Sequence, residues 1–278
     1  MIAGRGLPGA ALLAAGLLAA VAFVAACSTS PTPYTTSSPE PSLSATPTPI
    51  ALPASPSATP SASAPEASST PGPPPAADFV ATVDNPWFPL IAGTTLTYKG
   101  TKDGEAAVDT FAISADTKVV AGVTCVVIND TLKLGGVLAE KTEDWYAQDR
   151  SGNVWYFGEQ TAEYDESGAV TSTEGSWQAG VKGASAGIYM PGDPQVGQSF
   201  AQEYFAGQAE DHFVVLLVGT PVKVPYGSFA GALLTAEWTP LEPDVLSEKF
   251  YAKGIGELKE FDVAGGDESL QLVTVKKP

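Results

Sequence analysis

Apolar and polar residues alternate with a period of two through the last 200 residues of the chain. In residues 233–238, Leu234, Ala236 and Trp238 share one face, opposite Thr235 and Glu237, and residues 199–205 and 268–276 alternate similarly. This period is typical of β-strands, and no window holds a convincing helical period over three turns. The pattern predicts an all-β fold, an antiparallel meander of about a dozen strands with few or no helices.

One segment departs from the alternation, because residues 213–218 are continuously apolar. A strand of this kind is usually covered on both faces, so we expect a central strand here. Turn signals containing glycine separate the predicted strands. They include Lys99-Gly100, Asp103-Gly104, Gly135-Gly136, Tyr226-Gly227, Lys253-Gly254 and Gly265-Gly266.

Two further turns share the pattern Asp-x-x-Gly-x-Val, one starting at Asp149 and the other at Asp165. An aspartate side chain can accept a hydrogen bond from the backbone two residues on, and glycine supplies the positive φ that such turns need. We interpret them as successive hairpins of the meander. The first is similar to the Asp-boxes of sialidases, although its Asp-to-Gly spacing is one residue longer.

The first 27 residues have the form of an export signal. Arg5 precedes an uncharged, Ala-rich run over residues 10–26, which ends in Val24-Ala25-Ala26-Cys27. These four residues resemble the lipobox of bacterial lipoproteins. The resemblance implies that residues 1–26 are a signal peptide and that Cys27 becomes the lipidated first residue, with acyl groups such as palmitate holding the protein on the outer face of a cell membrane. The alternative is an uncleaved transmembrane anchor with an incidental cysteine.

Residues 27–77 read as a disordered tether, and residues 78–278 as one globular domain. Fourteen of the 24 prolines fall between Pro31 and Pro75, among Ser, Thr and Ala, and the only charged residues there are Glu40 and Glu66. Such a segment buries too little apolar surface to offset the entropy of ordering. We expect it to lift the domain away from the membrane.

The charge balance limits the partners of the domain. The chain carries 14 Lys+Arg against 31 Asp+Glu, a formal net charge of −17. Binding to nucleic acid or to anionic lipid headgroups needs basic residues, so both are disfavoured. One histidine and two cysteines rule out zinc fingers, a disulfide framework and haem attachment. No cofactor is expected.

The best candidate for a ligand site is Glu210 with His212. On a strand these two side chains share a face, with Cα atoms about 7 Å apart, and could provide two ligands to a divalent metal. Further carboxylates would have to complete the set, for which the sequence offers Glu143, Asp144, Glu174 and Glu237. The alternative is a solvated polar strand end without a metal.

Catalytic signals are weak. Gly183-Ala-Ser185-Ala-Gly187 fits the letters of a nucleophile elbow, but the residues after it cannot form the helix that this motif requires. A carboxylate pair of the glycosidase type cannot be recognised from one sequence.

Cys125 is expected to be a buried apolar thiol. The tryptophans are interpreted as core residues, with a platform for sugars or lipids as the alternative. They are Trp87, Trp145, Trp155, Trp177 and Trp238.

Three sequence segments of the domain resemble a group of uncharacterised bacterial secreted proteins. They are Asn85-Pro-Trp-Phe-Pro-Leu90 with residues 93–98, Val222-Lys-Val-Pro-Tyr-Gly-Ser-Phe229, and Tyr251-Ala-Lys-Gly-Ile-Gly-Glu-Leu258. More distantly, the order of strands looks like the half-barrel of lipoprotein carriers, which implies a curved sheet or half-barrel. We therefore expect a lipid-anchored extracytoplasmic module that is not an enzyme and that binds an unknown envelope ligand or has a structural role. The alternatives are a glycan hydrolase with a carboxylate pair and a lipid or lipoprotein carrier.

Overall fold

The computed structural model describes residues 72–278, and nearly all of their regular structure is β-strand. A single turn of 3₁₀ helix at Ala76–Asp78 precedes sixteen strands. The strands are β1 (Phe79–Val80), β2 (Thr95–Lys102), β3 (Glu105–Val120), β4 (Val123–Leu134), β5 (Val137–Asp149), β6 (Val154–Tyr164), β7 (Val170–Ser172), β8 (Trp177–Gln178), β9 (Ser185–Met190), β10 (Ser199–Ala201), β11 (Glu203–Tyr204), β12 (His212–Val224), β13 (Gly227–Trp238), β14 (Leu246–Ala252), β15 (Gly256–Ala264) and β16 (Ser269–Lys276). The predicted all-β fold is confirmed, and short strands beside the long ones raise the number above a dozen.

All sixteen strands belong to one antiparallel sheet. The strands from β2 to β6 form one meander and those from β12 to β16 form a second, and pairing of β16 with β2 joins the two. The order across the sheet is β10-β12-β13-β14-β15-β16-β2-β3-β4-β5-β6-β9-β11, with β1 beside β5 and with β7 and β8 beside β6.

The sheet curls into a nearly closed barrel. Only Gln202 separates β10, which pairs with β12, from β11, which pairs with β9, so the chain itself crosses between the two ends of the strand order. Gly187 of β9 lies so close to this crossing that an added Cβ would come within 2.4 Å of the Ala201 carbonyl oxygen. Since that distance is far below van der Waals contact, we expect only glycine to be accommodated here.

Both Asp-x-x-Gly turns form the hairpins predicted from the sequence. Asp149 Oδ1 accepts hydrogen bonds from the backbone N–H groups of Ser151 and Asn153, at 2.8 and 3.0 Å, between β5 and β6. Asp165 Oδ1 repeats the arrangement with the N–H groups of residues 167 and 169, between β6 and β7. The indole N–H of Trp155 also donates to Asp149 Oδ2 at 2.9 Å, which ties the first turn to the core.

Two predictions about strands are wrong. Lys99-Gly100 lies inside β2 and is not a turn. A Cβ on Gly100 would fall 1.6 Å from the Ser269 carbonyl oxygen, so the glycine allows the close approach of β16. The apolar run at residues 213–218 lies in an interior strand of the sheet, but it is not covered on both faces over its second half, where Leu217 and Val218 are 48% and 47% exposed. Register shifts on both sides of these two residues disrupt the alternation there.

The described part of the chain contains no helix with the length and apolarity needed to cross a membrane. Cys27 and most of the predicted tether lie outside the described residues.

Candidate functional site

The barrel contains a partly open cavity of about 170 Å³, lined by side chains from strands all around the sheet. Because alternate residues of a strand point to the same side, each strand contributes every second side chain. Leu96, Tyr98 and Lys102 come from β2, and Asp109 and Phe111 come from β3. The cavity is therefore a property of the whole barrel.

The lining of this cavity is strongly acidic. Eleven carboxyl side chains face it, against two amino groups, those of Lys102 and Lys249. We call the eleven the carboxyl lining: Asp109, Asp130, Glu140, Asp144, Glu159, Glu203, Asp211, Glu237, Glu257, Glu260 and Glu268. Carboxyl groups in a protein interior are costly unless they are paired, hydrogen-bonded or protonated.

The two lysines neutralise part of this lining. Lys249 Nζ lies 3.1 Å from Glu237 Oε2 and 3.2 Å from Glu260 Oε1, and Lys102 Nζ lies 3.1 Å from Glu268 Oε2. Burial alone would lower the pKa of Lys249, but the surrounding carboxylates outweigh it and raise that pKa well above its usual value. Both lysines are therefore cations at neutral pH.

Other carboxyl groups are close to one another without a cation between them. The Tyr156 hydroxyl lies 2.6 Å from Asp144 Oδ1 and 3.1 Å from Glu159 Oε2. Burial is the main cause that raises the pKa of Asp144, to about 7, while the hydrogen bond from Tyr156 acts in the opposite direction. Burial and the charge of Asp144 likewise raise the pKa of Glu159 well above its usual value.

Two carboxyl–carboxyl contacts complete this pattern. The carboxyl groups of Asp109 and Asp130 interact with each other, as do those of Glu203 and Asp211, so one member of each pair can be protonated and donate to the other. Burial raises the pKa of all four groups above their usual values, that of Asp211 to about 7. No N–H or hydroxyl group of the described residues donates to the buried Oδ1 atom of Asp109.

An aromatic cluster lines the cavity beside these carboxyl groups. Tyr146 stacks on Tyr156, with ring centroids 4.7 Å apart and an interplanar angle of 17°. The Phe88 ring lies 4.6 Å from Tyr189, 5.3 Å from Tyr146 and 6.0 Å from Phe111, between centroids. We use the term aromatic cluster for Phe88, Phe111, Tyr146, Tyr156 and Tyr189.

The segment of residues 85–90 holds Phe88 against the cavity. Asn85 is buried and its side-chain amide donates to the carbonyl oxygens of Gly152, at 2.8 Å, and Pro191, at 3.0 Å. At its other side the segment accepts a hydrogen bond from the N–H of Gly254 to the Pro86 carbonyl, at 2.7 Å. Residues 85–90 are therefore hydrogen-bonded to three separate parts of the barrel.

The predicted metal ligands, Glu210 and His212, are not among the residues that line the cavity. Glu210 Oε1 accepts a hydrogen bond from the Gly207 N–H at 2.7 Å, and His212 stacks on Trp238 at 5.6 Å between centroids. Burial lowers the pKa of His212, and Glu210 partly opposes this. Among residues 72–278, no group of three His, Cys, Asp or Glu residues has an arrangement that could hold a metal ion.

The suggested additional ligands are dispersed. Asp144 and Glu237 face the cavity, whereas Glu143 accepts a hydrogen bond from the Trp145 indole at 2.9 Å and Glu174 is exposed. Asp211, between the two predicted ligands, is half-buried and lines the cavity.

The other residues considered from the sequence, Ser185, Cys125 and the five tryptophans, lie in strands or in the core of the barrel. Ser185 is the first residue of β9, so its Gly-x-Ser-x-Gly pattern lacks the strand-to-helix turn of a nucleophile elbow. Cys125 is fully buried, and burial raises the pKa of its thiol to about 12. Four tryptophans are buried core residues, as expected, and the fifth, Trp238, is half-buried; the buried four are Trp87, Trp145, Trp155 and Trp177.

Most of the carboxyl lining is not predicted from the sequence. A signal exists in β5, where Glu140, Thr142, Asp144 and Tyr146 occupy one strand face, and in β3, where Asp109 lies between Ala107 and Phe111 on one face. A carboxyl group placed in register with apolar residues can point into a barrel. The same alternation fits a solvent-facing strand equally well, so the pattern alone does not tell which face is enclosed.

Comparison with known proteins gives two similar solved structures. One is a protein from Bacteroides fragilis described as exported, with a YmcC-like fold; it is 15% identical, the match covers 69% of this chain and 99% of that one, and the TM-score is 0.41. The other, from Parabacteroides distasonis, is described as a lipoprotein, with 11% identity, 68% and 97% coverage and a TM-score of 0.36. No protein-family model matches the chain, and no curated protein gives a significant match.

Proposed function

We propose that this protein is a lipid-anchored extracytoplasmic binding module that holds a small ligand inside its barrel. The observation that carries the proposal is the cavity inside the barrel with its carboxyl lining. Filling the same space with apolar side chains would give a more stable barrel, since buried ionisable groups cost free energy. Strongly shifted pKa values clustered around a cavity are typical of functional sites.

The lining does not favour the lipid-carrier alternative. Acyl chains bind where they remove apolar surface from water. Here an acyl chain would lie against carboxyl groups such as Asp144 and Glu203, both of which are buried, and would remove their remaining polar contacts. A small polar or charged ligand fits this chemistry better.

Native mass spectrometry of the full-length lipidated protein, purified in detergent from its own envelope, tests the binding proposal. We expect a non-covalent adduct on the wild type that is lost from an Asp109→Asn/Asp130→Asn variant. The control variant is Asp116→Asn, which changes an exposed aspartate on the same strand β3 and keeps the adduct. A wild type that carries no adduct and acquires none from envelope extract contradicts the proposal.

The lipid anchor is a separate part of this proposal and rests on the lipobox resemblance at Cys27. Metabolic labelling with a radioactive fatty acid should label the wild type and leave Cys27→Ala unlabelled. Cys125→Ala is the matched control, because it removes a thiol that is buried in the domain. Equal labelling of the Cys27→Ala variant would contradict the anchor and leave the binding proposal unaffected.

One observation supports the hydrolase alternative. Asp144 and Glu159 contact the same Tyr156 hydroxyl, and a carboxyl group with a pKa of about 7 can act as a general acid. A hydrolase would release soluble sugar from cell-wall glycan, and Asp144→Asn would abolish that release. A binding module leaves the glycan intact with or without the substitution.

A further inference from the structure

We propose that the Asp109–Asp130 pair is the binding site for the ammonium group of a small organic amine, whose apolar part lies on the neighbouring aromatic side chains. This inference rests on the proposed function and names the class of ligand. It follows from the position of the pair, from the hydrogen-bond donor missing at Asp109 Oδ1 and from the rings beside the pair.

The position of the pair is set by strand register. Asp109 of β3 is opposite Tyr98 of β2, and Asp130 of β4 is opposite Phe111 of β3. All four residues line the cavity. The two carboxyl groups therefore lie on the cavity wall, each with an aromatic residue as its cross-strand neighbour.

One oxygen of the pair lacks a hydrogen-bond donor. Oδ1 of Asp109 is buried without an N–H or hydroxyl donor from any described residue. Of the two cavity lysines, Lys249 forms ion pairs with Glu237 and Glu260, and Lys102 forms one with Glu268. An ammonium group brings three donors and a positive charge. It would give Asp109 Oδ1 a partner and would neutralise negative charge on the pair.

The aromatic cluster decides between an organic cation and a bare metal ion. Phe111 packs against Phe88, and Phe88 packs against Tyr146 and Tyr189, so a continuous aromatic surface begins next to Asp130. Aromatic faces attract organic ammonium groups and bury the carbon atoms attached to them. A divalent metal ion instead needs several oxygen ligands around one point, and residues 72–278 contain no such group of three.

The cavity limits the ligand to a small molecule. A volume of about 170 Å³ holds roughly ten water-sized positions. Phenethylammonium, with one aromatic ring and one ammonium group, is of this size. Its neutral analogue 2-phenylethanol has the same shape with a hydroxyl in place of the ammonium group, and methylammonium carries the cation without the ring.

Isothermal titration of the full-length protein in detergent at pH 7.5 tests the inference with these three probes. We expect phenethylammonium to bind about tenfold or more tightly than 2-phenylethanol, because a charge-assisted contact replaces a neutral one. The Asp109→Asn/Asp130→Asn variant should lose this preference, while Asp116→Asn keeps it. Thermal unfolding of each variant verifies that it is folded.

The possible failures are distinguishable. Equal affinity for 2-phenylethanol and phenethylammonium, lost in the double variant, would contradict the ammonium-binding site but not the proposed binding function. Calcium binding that depends on the same pair would assign a metal ion and also contradict the ammonium-binding site. If neither phenethylammonium nor methylammonium binds while the native adduct persists, only the ligand class is wrong. If no adduct exists either, the proposed function fails as well.

Discussion

The aromatic cluster and the carboxyl lining share one cavity but have opposite effects on the stability of the fold. The cluster buries large apolar rings in mutual contact, as Phe88 does with three other members. The lining brings together eleven carboxyl groups, four of them on buried residues, with two lysines to compensate them. We therefore expect the aromatic cluster to stabilise the barrel and the carboxyl lining to lower its stability.

The largest effect is expected where the aromatic cluster is broken. Phe88→Ala should lower the free energy of unfolding by about 4 kcal/mol, because it removes a buried ring and leaves a cavity. Denaturant unfolding measures this loss. Tyr204→Ala is the control, since Tyr204 is half exposed, and it should change stability by no more than about 0.5 kcal/mol. Similar losses for both variants would show that the cluster is not the main support.

A somewhat smaller loss is expected from Lys249→Met, about 3 kcal/mol at pH 7. The substitution keeps an unbranched side chain, one atom shorter, but leaves Glu237 and Glu260 without their shared cation. Adding Glu237→Gln and Glu260→Gln to the same variant should restore most of the loss, since no charge is then left uncompensated. A single variant as stable as the wild type would contradict the role given to this lysine.

The carboxyl lining should make the protein less stable as the pH rises. Asp144 and Asp211 have folded-state pKa values of about 7, raised mainly by burial, and ordinary values near 3.8 when unfolded. Between these values the folded state holds protons that the unfolded state has released, so unfolding is favoured by increasing pH. We expect a loss on the order of a few kcal/mol between pH 4 and pH 7.

Chemical denaturation at a series of pH values measures this dependence. Asp144→Asn/Asp211→Asn should flatten the curve over the same range. The exposed-site variant Asp116→Asn should not. A stability that increases from pH 4 to pH 7 would show that these carboxyl groups are stabilised as anions, contrary to their burial.

The sequence predicts the fold better than it predicts the site, for a physical reason. Alternation and the two Asp-x-x-Gly turns depend on local geometry, and both are confirmed. Which strand face is enclosed depends on how the sheet closes, through the crossing at Gln202 and the pairing of β16 with β2. Thr235 and Glu237 illustrate the problem, because they form the polar face of β13 and yet are buried.

Gly100 is a second example in which a long-range contact, and not the local sequence, determines the structure. Its sequence context indicated a turn, but the residue is needed where β16 approaches β2 across a long interval of sequence. Glu210 and His212, the predicted metal ligands, do not line the cavity, whereas Asp211 between them does. Long-range contacts of this kind leave no local signal in one sequence.

The smallest change in stability is expected at the proposed ammonium-binding site, and its sign distinguishes the aromatic cluster from the carboxyl lining most clearly. Asp109→Asn should stabilise the ligand-free protein by about 1 kcal/mol at pH 8, because it removes a buried carboxyl group whose pKa burial has raised. At pH 3 the gain should vanish, since Asp109 is then protonated in both states. Asp116→Asn, exposed on the same strand, should leave stability unchanged at either pH. If Asp109→Asn instead destabilised the protein as Phe88→Ala does, Asp109 would belong to the structural core, and the contrast between aromatic cluster and carboxyl lining would no longer hold.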